Sequence, residues 1–328
     1  MCAIVPKIDQ IIDMSLLSAI IVSYNTREMT LDCLKTLYGE LKDIDAEVWV
    51  VDNASRDGSA EAIVSAYPDA RVIASETNLG FGAANNRAMS EACGAYFLLL
   101  NSDAFPCPGA VRALIDYMNA HPDVGVAGPR LLNRDGSVQL SCFRFPSPMR
   151  CWLENLWISA AFRGNALICD YRQWAHDRER IVDFVSGACL LARRDVFERV
   201  GGFDEKFFMY AEETDWQRRI TDAGWTIAFT PNAEVVHYAG ASGGADAARV
   251  SQHVFNSLDY YEWKHHGLFG LIALRSAMIA GSFMRLALWS AVLLLMPGRR
   301  AAAAPRAKLH AWLLWRQSTC WRLAFRPR

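Results

Sequence analysis

The sequence predicts an α/β fold: a mostly parallel sheet flanked by helices, followed by a smaller helical extension. Strand-like β-branched runs alternate with segments of helical period along the first half, joined by short polar links. The run Tyr96-Phe-Leu-Leu-Leu100 then stops abruptly at Asn101-Ser102-Asp103. An unbroken apolar run of this kind is a strand buried on both faces, as in parallel sheets. The polar residues after its last apolar position sit at the carboxyl edge of the sheet, where open α/β sheets bind ligands. Composition agrees, because 328 residues at 52% hydrophobic and 21% charged can bury a large core and exclude a disordered chain.

Each element follows from its own pattern. Residues 18–22 (SAIIV) are apolar and β-branched, residues 29–41 place Leu31, Leu34, Leu37, Tyr38 and Leu41 on one helical face, and residues 47–51 (EVWVV) make a second strand. Together these form a βαβ unit. A third strand at 70–74, a helix over 82–93 and the strand from Tyr96 continue the pattern, so right-handed crossovers are expected. After Pro106 a helix over 109–119 and a strand at 124–127 extend the sheet. Residues 184–191 (FVSGACLL) read as a later strand broken at Gly187, and Gly201-Gly202-Phe203-Asp204 as a tight turn. No internal repeat is visible.

The residues at successive strand ends carry the chemistry. The first strand ends in Ser23-Tyr24-Asn25, the second in Asp52-Asn53-Ala54-Ser55, and the next connection holds Asn78, Gly80, Gly82 and Asn85. A carboxylate such as Asp52 can accept the imide N–H of a uracil or thymine, and the glycines let backbone approach a bulky ligand. Asn101 and Asp103 offer hard oxygen ligands to Mg²⁺ or Mn²⁺, the kind of ion that turns a diphosphate into a leaving group. Each group taken singly is also an ordinary turn or N-cap. It is their recurrence at one edge that points to a nucleotide site.

A second constellation is Glu212-Glu213-Thr214-Asp215-Trp216. If a helix starts here, Glu212 and Asp215 share a face and Glu213 points about 100° away. Acidic residues in a first turn also suit the helix dipole, so a structural role competes with a general-base role. Like charges crowded together tend to raise one pKa, which suits a base. His237, after Val235-Val236, reads either as a core histidine or as a metal ligand. Residues 141–180, with Trp152, Trp157, Tyr171 and Trp174, read as an acceptor loop or as core packing.

The ordered set IIVSYN at 20–25, VVDNASRDGS at 50–59, NLGFGAANN at 78–86, LLLNSDA at 98–104, SGACLLARRDVFERVGGFDEKFFMYAEETDW at 186–216 and VVHYAG at 235–240 resembles the family 2 glycosyltransferases, and within them the bacterial rhamnosyltransferase-like branch. The resemblance implies a GT-A fold, a UDP- or dTDP-sugar donor, rhamnose among the candidate sugars, a divalent ion and inversion at the anomeric carbon. It makes Asp52 the base-binding residue, Asp103 the metal ligand of the D-x-D position, His237 the later ligand and Glu213 the catalytic base. Glu212 and Asp215 are the alternatives for that base. Ser23, Tyr24, Asn25, Asn53, Asn78, Gly80, Asn85, Asn101 and Ser102 complete the expected donor site. Asn101 replaces a carboxylate of D-x-D, and Ala84 stands where the family often has Arg. These two departures are the support for a catalytically impaired scaffold of the same fold. A dinucleotide-dependent oxidoreductase fits less well, because Gly80-Phe81-Gly82 lacks the third glycine of GxGxxG.

Charge divides the chain. From Lys264 to Arg328 there are eleven Lys/Arg and no Asp/Glu, so the tail carries +11 and the body −12 within a net charge of −1. The segment from Leu268 to Met296 is apolar but interrupted by Arg275 and Arg285, and its last uncharged stretch is too short to span a bilayer, which takes about 20 residues. Arg299, Arg300, Arg306, Lys308, Arg316, Arg322, Arg326 and Arg328 come next, interleaved with Trp312, Trp315 and Trp321. That mixture suits an anionic lipid surface better than nucleic acid. The expected organisation is an N-terminal extension over 1–16, a GT-A domain over 17–262 and a membrane-associating helical extension over 263–328. A chain ending near Lys264 is expected to stay soluble and bind donor. With no CxxC pair and no signal-peptide pattern, the nine cysteines read as reduced thiols of a protein lying peripherally on the cytoplasmic face of the bacterial inner membrane, acting on a lipid-linked or oligosaccharide acceptor.

Overall fold

The structure is a computed structural model that describes residues 17–162, 165, 171, 174–238 and 247–319. The N-terminal extension and Trp321, Arg322, Arg326 and Arg328 lie outside the described residues. The elements run β1 (Leu17–Ser23), α1 (Arg27–Glu40), β2 (Ala46–Asp52), α2 (Ser59–Ala66), β3 (Arg71–Ala74), α3 (Phe81–Glu91), β4 (Tyr96–Asn101), β5 (Ala104–Pro106), α4 (Ala110–Ala120) and β6 (Val124–Leu132). They continue through β7 (Val138–Gln139), β8 (Cys142–Phe143), α5 (Pro148–Asn155), α6 (Ile158–Ala161), β9 (Arg180–Val182), β10 (Phe184–Val185), β11 (Cys189–Arg193), α7 (Arg194–Val200), α8 (Glu212–Asp222) and β12 (Thr226–His237). The long α9 (Ala247–Leu295) and α10 (Arg300–Thr319) close the described chain. Two compact units result: residues 17–142, 176–205 and 213–238, and residues 143–175, 206–212 and 247–319.

The first unit is built on one large sheet of order β3-β2-β1-β4-β11-β6-β12-β5. Its first four strands are parallel, as the alternating pattern predicts. Beyond β4 the sheet turns mixed, because β11 enters antiparallel between β4 and β6 while β12 runs parallel to β6. Both faces are covered, which explains the unbroken apolar runs. Ile21, Val50, Leu98 and Leu100 pack with Leu34 and Leu37 of α1 and Leu114 and Met118 of α4. The alternate residues Ile20, Val51, Phe97 and Leu99 are equally buried on the other side, where Phe97 meets Phe197 of α7 edge-on at 5.8 Å. Each such side chain contributes about 1.5–3 kcal/mol by leaving water. The parallel strands β1 to β4 deliver their C-terminal residues to one edge.

The second unit gathers Cys151 of α5 with Leu274, Ala277 and Met278 of α9 and Leu313 of α10. Helix α9 bends at Gly267, whose φ of 64° and ψ of −157° lie outside the helical region and need no Cβ. The two arginines that break the apolar run both turn inward. Arg275 is 1% exposed and donates to Asp259 Oδ2 at 2.9 Å, and Arg316 of α10 donates to the same oxygen at 3.3 Å and to Asn256 Oδ1 at 2.7 Å. Arg285 donates to the carbonyl of Asn155 at 2.8 Å and lies over the Trp157 ring. Leu268, Phe269, Ile272, Phe283, Met284, Leu288, Leu294 and Leu295 of α9 are exposed. By length and composition, residues 252–295 form one helix that is apolar enough to cross a membrane, a departure from the count of uncharged residues in sequence.

Candidate active site

The nucleotide edge is assembled by hydrogen bonds between consecutive strand ends. The side chain of Asp52 is buried, and its Oδ2 accepts the N–H of Ser55 at 3.1 Å. Its Oδ1 has no hydrogen-bond partner among the described residues, so a buried acceptor remains open to a donor. The turn beyond it is tied to β1: Asn25 donates its N–H to Ser55 Oγ at 2.9 Å and accepts the N–H of Arg56 on Oδ1 at 2.8 Å. Asn25 and Ala54 both hold left-handed backbone, with φ of 53° and 66°, a strain that persists where the surroundings demand it. Tyr24 projects from this edge, 41% exposed.

Several predicted donor-site residues act through the loops rather than by facing the edge. Asn53 Nδ2 donates to Asn78 Oδ1 and to the carbonyl of Gly80, each at 3.1 Å, and its Oδ1 accepts the N–H of Leu79 at 2.8 Å. Asn78 Oδ1 also accepts the N–H of Gly80 at 2.9 Å. These amides are committed to holding the 78–80 loop, where Gly80 at φ 86° opens α3. Ser23 is fully buried and shares hydrogen bonds with Thr26 and Thr30, Ser102 accepts from Thr26 Oγ1 at 3.1 Å, and Asn85 donates to the carbonyl of Phe81 within α3. Ala84 is completely buried in α3.

The strand β5 turns back after Asp103 and pairs antiparallel with β12, which sets Ala104 opposite His237. The carbonyl of Asp103 accepts the N–H of Tyr238 at 2.9 Å. The side chains consequently meet, with His237 Nε2 3.3 Å from Asp103 Oδ1. Two ligands at right angles on an ion with bonds of about 2.1 Å lie roughly 3 Å apart, so the pair fits one Mg²⁺ or Mn²⁺. Among the described residues no group of three or more His, Cys, Asp or Glu converges. A site that takes two protein ligands and fills the rest of its shell from phosphates and water matches the habit of Mg²⁺. The other ring nitrogen, Nδ1, lies 2.7 Å from Oε1 of Gln139. No sequence motif marks Gln139; the turn at Asp135-Gly136 is its one signal.

Helix α8 separates the three carboxylates. Asp215 is fully buried, its Oδ2 accepting from Arg219 Nε at 3.0 Å while that guanidinium also donates to the carbonyls of Val200 at 2.9 Å and Gly202 at 2.6 Å. Trp216 Nε1 donates to the carbonyl of Gly201, and Gln217 makes a two-way amide bridge with the backbone of Val185 at 2.8 Å each way. Glu212 is 4% exposed, as the shared face with Asp215 requires. Glu213 alone of the three is half-buried, and packing around its carboxyl pushes its pKa above the ordinary value. Beside it is Gly187, where a Cβ would stand 3.4 Å from Cβ and Cγ of Glu213. The next residue, Ala188, accepts the N–H of Asn101 at 2.9 Å. Glu213 and the end of β4, two residues before Asp103, are thus linked through Gly187 and Ala188.

The profile of Glycosyl transferase family 2 matches residues 18–201. An N-acetylglucosaminyl-diphospho-decaprenol L-rhamnosyltransferase of Mycobacterium tuberculosis is 34% identical over 269 residues, which cover 73% of this chain and 84% of that protein. The low-salt glycan biosynthesis hexosyltransferase Agl10 of Haloferax volcanii is 26% identical over 67% of this chain and 66% of its own length. Among solved structures, the mannosyltransferase PcManGT of Pyrobaculum calidifontis, in complex with GDP-Man and Mn²⁺, superposes with a TM-score of 0.55 over 95% of this chain and 89% of that one, at 16% identity, a likeness of fold. The chain belongs to the family 2 glycosyltransferases, in their rhamnosyltransferase-like branch, and not to the dinucleotide-dependent oxidoreductases.

Proposed function

We propose that this protein transfers a sugar, with rhamnose the first candidate, from a UDP- or dTDP-sugar to a lipid-linked acceptor, with inversion at the anomeric carbon. The observation that supports this reading is that Glu213 lies beside Gly187, whose neighbour Ala188 binds Asn101, two residues before the Asp103 that meets His237. Asp52 Oδ1 accepts the imide N–H of the base. Asp103 and His237 would hold the Mg²⁺ or Mn²⁺, whose charge stabilises the departing diphosphate. Glu213 takes the proton of the acceptor hydroxyl as its oxygen bonds to the anomeric carbon, and the bond to the diphosphate oxygen breaks with its electron pair. Burial suits Glu213 to this task, because a raised pKa makes its carboxylate a stronger base near neutral pH. Asp215, bound to Arg219, keeps α8 in place instead.

A lipid-linked acceptor is supported by the diphospho-decaprenol substrate in the name of the Mycobacterium tuberculosis relative. The exposed apolar residues of α9 and the exposed Arg299, Arg300 and Lys308 support attachment to an anionic membrane surface, and a nucleotide-sugar donor would place that surface on the cytoplasmic side. The test is turnover with UDP- and dTDP-sugars and Mn²⁺ on a prenyl-diphosphate acceptor. Glu213→Gln keeps the volume and removes the base, so kcat should fall roughly 10²–10⁴-fold with donor binding preserved. The acidic limb of the wild-type profile should lie above 4.5, since activity is lost as pH falls through the raised pKa, and the variant should lack that limb. A near-wild-type rate for Glu213→Gln would refute the assignment.

A further inference from the structure

The hairpin that precedes β7 carries a polar relay whose direction is determined by its first member. Gly136, at φ 79°, lets the chain turn, and Leu131 then pairs with Gln139 across β6 and β7. Asp135 Oδ1 accepts both the N–H and the hydroxyl of Ser137, at 3.0 and 2.6 Å, so the carboxylate stays ionised and the hydroxyl proton is committed to it. Ser137 Oγ can then only accept, which makes the group facing it at 2.9 Å the NH₂ of Asn133. Asn133 Oδ1 therefore points to Gln139 and accepts its NH₂ at 2.9 Å. The same NH₂ lies 3.4 Å from the carbonyl of His237. Gln139 Oε1 is left facing His237 Nδ1 at 2.7 Å, and an amide oxygen there requires a proton on Nδ1. The lone pair of Nε2 is thereby aimed at the Asp103 side.

We infer that Gln139 is the positioning residue of the ion site: the 133–139 hairpin holds His237 as its Nδ1–H tautomer, so that Nε2 and Asp103 present electron pairs together to one divalent cation. This rests on the reading of Asp103 and His237 as ion ligands. Outer partners that orient a ligating imidazole commonly change metal affinity 10–100-fold when removed.

The experiment uses the full-length protein. Nitrogen shifts of the imidazole side chains in the metal-free protein, with His237→Gln for assignment, should report Nδ1–H at His237. Binding of Mn²⁺ alone, followed by the electron paramagnetic resonance of the free ion, should weaken 10–100-fold in Gln139→Leu and Gln139→Met. Gln139→Glu, which keeps the acceptor, should stay within a few-fold of wild type, a rescue that a merely structural role would not produce. Finding Nε2–H in the wild-type protein, or wild-type Mn²⁺ affinity in both Leu and Met variants while Asp103→Asn loses it, overturns the role of Gln139 alone. Unchanged affinity in Asp103→Asn overturns the ion-site reading itself.

Discussion

Asp259→Asn removes one negative charge from the interior of the second unit and leaves its shape intact. Two guanidinium groups rely on that carboxylate: Arg275 and Arg316 both reach Oδ2, and their side chains are only 1% and 3% exposed. Breaking a buried ion pair by deleting one partner costs about 3–5 kcal/mol, because a charge held out of water has lost its counter-charge. For a unit of this size that corresponds to a fall in Tm of roughly 12–20 °C. Denaturant unfolding followed by far-UV circular dichroism measures it, with fluorescence of Trp312, near this cluster, reporting locally. The triple change Asp259→Leu, Arg275→Met, Arg316→Met should restore most of the loss, since apolar groups of similar volume need no counter-charge. A loss below about 1 kcal/mol in Asp259→Asn would refute the reasoning. The same pairs revise one expectation from sequence. A chain ending near Lys264 keeps Asp259 and loses both of its cations, so it should not retain a folded second unit.

Two further outcomes are expected. In Asp52→Asn the amide oxygen can still accept the N–H of Ser55, leaving NH₂ where Oδ1 stood; calorimetry should show UDP binding about 10–100-fold weaker with CDP affected less, and equal losses would count against base recognition. Replacing Phe269, Phe283 and Leu295 on the outer face of α9 by Ser should abolish co-sedimentation with anionic vesicles, and Arg299→Gln with Lys308→Gln should weaken it about 30-fold while leaving donor binding intact. Undiminished sedimentation of both variants would remove the membrane surface from the proposal.

Much of the fold was legible because local sequence and tertiary environment agree in the first half of the chain. Strands β1, β2 and β4 are buried on both faces, so they had to be continuous apolar runs, and their polar ends announced the ligand edge. Asp52 closes β2, Asp103 lies in the link between β4 and β5, and Glu213 is in the first turn of α8, so all three stand at element boundaries that the patterns mark. The short α2 and the full length of β12 were not anticipated, since the polar and mixed pattern of neither shows a clear period.

The sequence alone determined the order of elements and the chemical types collected at one edge. It could not tell which polar side chains face a ligand and which brace a loop. Asn53, Asn78 and Asn85 look alike in sequence to a binding amide, and only the approach of the 78–80 loop to β2 and the internal bond of α3 commit them elsewhere. Nor could it foresee Gln139, which lies 98 residues from His237 and meets it only because β6 pairs with both β7 and β12. Arg275 and Arg285 interrupt an apolar stretch when counted along the chain. In three dimensions, α9 has an inner and an outer face, and Asp259 and the carbonyl of Asn155 draw both charges inward. Sequence distance carries no information about such long-range pairings, whereas burial enforces them, because a buried charge or amide must find its partner wherever the fold places it.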